Sequence, residues 1–136
     1  MSAVLRNGTR TVTAAISIMS ASMLVFGFWA WLAPRSFADL TNFPVHVHFL
    51  HDAGVFQIGI GVMLLTALRW RDALTVVLIG FLTANTLHAV NHAVDLDQGG
   101  HLGDVLGLAG LSVIAAVALY LHLHTREQSD RLEETT

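Results

Sequence analysis

Cysteine and lysine are both absent from the 136 residues. Without cysteine there is no disulfide, no thiolate metal ligand and no iron–sulfur cluster. Without lysine, all basic charge rests on seven arginines. Charge of either sign is scarce: 12% of residues are charged, against about 25% in soluble domains. The formal net charge of -3 and the lack of a basic tract argue against nucleic acid as a partner. Proline occurs twice, and Pro34 closes an apolar run.

Apolar residues are abundant, at 54% of the chain with a mean hydropathy of +0.60. Four apolar stretches, about 12–33, 49–68, 73–94 and 102–121, stand out. Each approaches the roughly 20 residues that a helix needs to cross the hydrocarbon core. Arg69-Trp70-Arg71-Asp72 separates the second and third, and Gly99-Gly100 precedes the fourth. The first stretch is longer than the ~7–15 apolar residues of a signal peptide and is read as a true span. The predicted fold is therefore all-α: one integral membrane domain over 1–136, an up-down four-helix bundle with short connections. Gly54, Gly59 and Gly61 in the second span, and Gly103, Gly107 and Gly110 in the fourth, are expected to let helix backbones approach. Residues 125–136 form a polar tail, a solvated helix end or disorder.

Arginine sets the orientation. Arg6, Arg10, Arg69, Arg71, Arg126 and Arg131 fall on one side of the four passes and only Arg35 on the other. The positive-inside rule makes the first side, with both termini, cytoplasmic. This predicts a multi-pass protein of a bacterial-type plasma membrane. Trp29, Trp31 and Trp70 near span ends fit an interfacial aromatic belt.

The histidines are unevenly placed. His46, His48 and His51 stand at the outer end of the second span, His88 and His92 at that of the third, and His101 just before the fourth. Asp52, Asp95, Asp97 and Asp104 lie at the same face. Helical positions three and four apart share a face. His48, His51 and Asp52 therefore share one stripe, continued inward by Gly59. "NTLHAVNHAVD" aligns Asn85, His88, Asn91, His92 and Asp95, with Leu87, Val90 and Val94 opposite. His101 and Asp104 are again three apart. His46 points away from His48 if the helix already runs from Pro44, and shares its face if "PVHVH" is extended. His122 and His124 are read as interface residues, Arg71 and Asp72 as an ordinary turn, and the cytoplasmic halves of the spans as free of ionisable groups.

Ionisable residues within membrane segments are costly and usually mark function. Carboxylates beside neutral imidazoles, with no intramembrane Arg or Lys, are balanced by a divalent cation and otherwise repel or protonate. The expected metal ligands are His48, His51, His88, His92, Asp95 and His101. Asp52 and Asp104 are candidate catalytic carboxylates, and His46, Asn91 and Asp97 are candidates to orient the ligands. Nitrogen and oxygen donors without sulfur suit zinc first, with iron or copper also accommodated. Such a site suits a hydrolytic or oxidative metalloenzyme acting on a small lipophilic molecule from the bilayer. A non-enzymatic zinc- or copper-handling protein and a bis-histidine b-type haem protein are the alternatives. A hydrogen-bonded polar network without metal is the plain structural reading, and a homo-oligomer is compatible with the sequence.

The layout, with "LAPRSF" closing the first span and "FP" shortly before the second, resembles small bacterial DoxX-like four-helix membrane proteins. That resemblance implies the four-span architecture and allows a link to quinone redox chemistry. The dense His/Asp cluster departs from the group's general pattern, and no residue role is carried over from it.

Overall fold

The computed structural model describes residues 3–98 and 100–134. Gly99, half of the Gly99-Gly100 break, and the last two residues of the tail lie outside them. Among the described residues the protein is all-helical and contains no strand. Helix α1 is Ala3–Leu32, α2 is Pro34–Thr41, α3 is Val47–Arg69, α4 is Leu74–Val94 and α5 is Leu102–Glu133. Short 3-10 turns, Arg71–Ala73 and Leu96–Gln98, follow α3 and α4.

Each boundary has a local cause. Pro34 stands at the first position of α2, where its missing N–H costs nothing and its fixed φ suits a helix start. Asn42 ends α2 in the left-handed region at φ 54°, which asparagine tolerates well. His46 caps α3: its Nδ1 accepts the Phe49 amide at 3.2 Å. Gly100 closes the turn after α4, its N–H donating to Asp95 O at 3.1 Å. A Cβ there would meet the His92 and Asp95 carbonyls at 3.0 Å.

Two helices exceed their expected spans. α1 begins at Ala3 rather than near residue 12, and α5 continues through the polar tail to Glu133. The tail is thus a helix end, carrying an Arg131–Glu127 pair one turn apart at 3.6 Å. Such exposed pairs contribute only a few tenths of a kcal/mol. The additional helix α2 had no counterpart among the four apolar stretches, because its eight residues are polar and too few to span.

Among the described residues, four helical segments, Arg6–Leu32, Val47–Arg69, Arg71–Val94 and Leu102–Leu132, are long and apolar enough to cross a membrane. Only 11–28% of their most apolar windows is buried inside the protein. Leu32, Phe56, Val76, Leu87, Val94, Leu106 and Val113 are all more than 60% exposed. An apolar surface this extensive is what a bilayer covers and water does not.

α1 packs on α3 and on α5, and α5 packs on α4, whereas α3 and α4 touch each other little. The α1–α3 contact is antiparallel, with Ser20 facing Gly61 and Gly27 facing Gly54. Ser20 Oγ donates to Gly61 O at 2.8 Å in a fully buried position. At the crossing, a Cβ on Gly54 would stand 2.7 Å from Gly27 O, and one on Gly27 2.8 Å from Gly54 O. Gly27, Gly54 and Gly61 are therefore the residues that let backbones meet. Gly59, Gly103, Gly107 and Gly110 are not: a Cβ at any of them finds open space. The expected role of the fourth-span glycines is corrected accordingly, because the stripe they form faces away from α4 and α1.

The α4–α5 contact is also antiparallel and is fastened by polar groups. Asn85 Nδ2 donates to Leu108 O at 2.7 Å and to Ser112 Oγ at 2.8 Å, and Thr86 Oγ1 reaches Ser112 Oγ at 3.0 Å. The main core joins Val12, Ile16 and Met19 of α1 with Leu64, Leu78, Phe81 and Ala115 from the other spans. It takes its α3 and α4 members from Leu64 to Phe81, the halves nearest their connecting turn. That placement keeps the histidine-bearing ends of α3 and α4 from sharing a core.

Candidate metal centre

The polar residues at the histidine-bearing ends fall into separate groups. On α4, His88 and His92 stand one turn apart with their Nε2 atoms 3.1 Å from each other and ring centroids at 4.8 Å. From α5, Asp104 Oδ2 lies 3.9 Å from His92 Nδ1. Asp104 occupies the first turn of α5, where the helix dipole favours a carboxylate. His92 and Asp104 are partly enclosed, with side-chain exposures of 27% and 36%. His92 thus presents one ring nitrogen to a carboxylate and the other to a second imidazole.

A metal-ligating histidine typically turns its second ring nitrogen to a carboxylate or carbonyl, which fixes tautomer and ring plane. Two imidazoles bound to one zinc at about 2.0–2.1 Å, with a tetrahedral angle, hold their nitrogens about 3.3 Å apart. The observed 3.1 Å between Nε2 atoms is close to that separation. It is equally the length of an N–H···N hydrogen bond between two neutral rings.

The other expected ligands are held elsewhere. Asp95 caps the end of α4, and both its oxygens face amides: Asn91 Nδ2 at 3.1 Å and Gln98 Nε2 at 3.4 Å. Asn91 therefore orients Asp95 rather than a histidine. Asp97 lies exposed in the Leu96–Gln98 turn. His101 is the N-cap residue of α5, and its carbonyl accepts the amides of Asp104 and Val105. Its imidazole is exposed and makes no cap bond.

On α3, His48 Nε2 pairs with Asp52 Oδ2 at 3.6 Å, with exposures of 83% and 56%. Solvation of that degree reduces the pair to a fraction of a kcal/mol. His51 is half-buried beside them, and His46 has committed Nδ1 to the cap of α3. Its backbone at φ -119° and ψ 89° places His46 just outside the helix, between the two sequence-based alternatives. Among the described residues, no hydrogen bond or ion pair joins these α3 side chains to His88, His92 or Asp104. Nor does any group of three or more His, Asp or Glu there stand placed to hold a metal ion. The sequence-based convergence of three helix ends is thus resolved into an α4–α5 cluster and a separate, solvated α3 pair.

Asn85, one turn inward of His88 on the same stripe, is structural: its amide is taken by α5. Leu87, Val90 and Val94, on the opposite face, are exposed.

Sequence reasoning passed over one polar group. The sequence places His122 at the membrane interface, yet it is 5% exposed and its Nε2 is buried without a hydrogen-bond partner. A signal for it existed in the spacing: His122 follows Ala115 and Ala118 by seven and four residues, on the buried face of α5.

No family model, curated protein or solved structure matches the chain.

Proposed function

We propose that the protein is an up-down, four-span plasma-membrane protein whose α4–α5 histidine pair binds a divalent transition metal outside the cytoplasm. The observation that carries this reading is the convergence of His88 and His92 through their Nε2 atoms at 3.1 Å, backed by Asp104 on His92 Nδ1. His88 and His92 would be the ligands and Asp104 the residue that orients one of them. His101, whose exposed imidazole makes no cap bond, is the candidate third ligand, while Asp95 stays with its two amide partners. Zinc is the first choice for such donors, with iron and copper next.

Two protein nitrogens leave coordination positions for water and a reactant, the condition for catalysis rather than for a closed structural site. A bound metal there would supply Lewis acidity or an activated water. The substrate class is then a small lipophilic molecule reaching the site from the bilayer, along the exposed faces of α4 and α5. Storage or transfer of zinc or copper uses the same ligands without the reaction. Kinship with DoxX-like membrane proteins, and with it quinone-linked redox chemistry, belongs to the same proposal; a b-type haem is a separate alternative and would need one histidine from each of α3 and α4. The orientation rests on the arginine asymmetry and the positive-inside rule.

A metal-free reading is favoured by one specific observation: 3.1 Å also suits a hydrogen bond between the rings. His88 and His92 would then be a proton-sharing relay, with the Asp104 carboxylate as a charge partner 3.9 Å from His92. Elemental analysis of untagged protein separates the two. Retained metal in the wild type, lost in His88→Ala/His92→Ala, supports the metal site. A wild type that stays metal-free after incubation with zinc, iron and copper salts leaves the relay.

A further inference from the structure

A second polar site lies toward the other end of α5. His122 is about 18 residues, or roughly 27 Å of helix, from Asp104. There a cavity of about 180 Å³ opens between α1, the Arg71–Ala73 turn and α5. It is lined by Arg71, Arg126 and His122, with Thr125 and Ser129 on the same wall. Water takes up about 30 Å³ per molecule, so the space admits a tetrahedral oxyanion with water beside it.

The hydrogen-bond inventory of that wall is one-sided. Thr125 Oγ1 donates to the Leu121 and His122 carbonyls at 2.9 and 3.0 Å, and Ser129 Oγ to Thr125 O at 3.0 Å. Their hydroxyl protons are taken. Arg71 forms no ion pair among the described residues, and Arg126 reaches Asp72 only at 4.0 Å. His122 Nε2 is buried and unpaired. Buried polar atoms are as a rule hydrogen-bonded, and this one belongs to a residue that lines the cavity together with Arg71 and Arg126. Guanidinium matches phosphate oxygens through paired N–H donors. Asp72 and Asp130 also line the opening and offset the two arginine charges. Long-range attraction is therefore weak, and recognition falls to directed hydrogen bonds.

We propose that this cavity binds a phosphoryl group, held by Arg71, Arg126 and His122. The group's source is an anionic phospholipid headgroup or free phosphate. Arg71 opens one helical segment long and apolar enough to cross a membrane and His122 lies toward the end of another, which would bring the cavity near headgroup depth.

The test uses the full chain purified in a neutral detergent. Native mass spectrometry measures retention of dioleoylphosphatidylglycerol against dioleoylglycerol, which lacks the phosphoryl group. A parallel arm titrates inorganic phosphate against chloride and follows thermal stability. Arg71→Gln/Arg126→Gln should lower phosphatidylglycerol retention at least ten-fold and His122→Gln several-fold. Arg69→Gln, an exposed arginine outside the cavity, should leave it unchanged. Phosphatidylglycerol binding without a phosphate response assigns the site to lipid, and a phosphate response that competes with the lipid assigns it to the free ion as well. Equal retention of dioleoylglycerol, an equal loss in Arg69→Gln, or no binding of either probe by the wild type overturns the proposal. If the double variant loses its helical circular dichroism, nitrogen-15 histidine spectra of the wild type decide. The resonance missing from His122→Gln should move on adding either probe, and a fixed resonance overturns the site.

Discussion

His92 faces two partners on opposite sides of its ring: His88 Nε2 lies 3.1 Å from its Nε2, and Asp104 Oδ2 lies 3.9 Å from its Nδ1. One partner is a helical turn away on α4, and the other comes from α5. The pairing therefore exists only where the antiparallel α4–α5 contact is made. Asn85, bonded to Leu108 O and Ser112 Oγ, holds that contact in register two turns inward of His92.

If His88 and His92 are the ligands, the variant His88→Ala/His92→Ala loses bound metal entirely while its helical circular dichroism is retained. Elemental analysis of matched preparations checks it. Both side chains lie outside the apolar core, so insertion does not depend on them.

Asp104→Asn should weaken metal affinity about 10–100-fold, the usual effect of removing an orienting partner from a ligand histidine. Asp52→Asn should change it less than two-fold, because Asp52 pairs only with the solvated His48. Competition with a chromophoric chelator measures both. Equal losses in the two variants would show that α3 contributes to the same site after all.

Gly54→Ala should destabilise the bundle by about 1–3 kcal/mol, the range for overpacking a tight contact. Its new methyl would stand 2.7 Å from a backbone oxygen of α1 that cannot swing aside. Gly107→Ala, where nothing lies within 4 Å, should be neutral or slightly stabilising, since alanine favours the helix by about 1 kcal/mol. Thermal unfolding in detergent ranks the two.

Asn85→Ala removes both bonds to α5, and hydrogen bonds between membrane helices contribute about 0.6 kcal/mol on average and up to about 1.7. The expected loss is thus about 1–2 kcal/mol, with a lowered unfolding temperature. Because the same bonds set the α4–α5 register, metal affinity should fall together with stability. A stability loss with unchanged affinity would uncouple the two.

The four spans were legible because each is a long apolar run, and a bilayer imposes its thickness on sequence directly. The breaks at Pro34 and at Arg69–Asp72 were legible for the same reason. Helix α2 was not, because a short polar helix carries no hydropathy signal. For the same reason the tail reads equally as a helix end or as disorder, and only the structure shows α5 running to Glu133. The His88–His92 pair was legible from i, i+4 spacing alone. The grouping with Asp104 needed the fourth span to fold back on the third, which a short connection made readable.

By itself the sequence determined an all-helical chain with four apolar spans and a polar end rich in histidine and aspartate. Periodicity and hydrophobic length are properties of single segments, and they survive without knowledge of neighbours. Which helices touch was decided only in three dimensions. Close backbone approach at Gly27 and Gly54 joins α3 to α1, and the Asn85 bonds join α4 to α5. That pairing separates His48 and Asp52 from His88 and His92, and it buries His122 beside Arg71 and Arg126. Side-chain partnership across helices depends on rotation about each helix axis, which no single segment encodes.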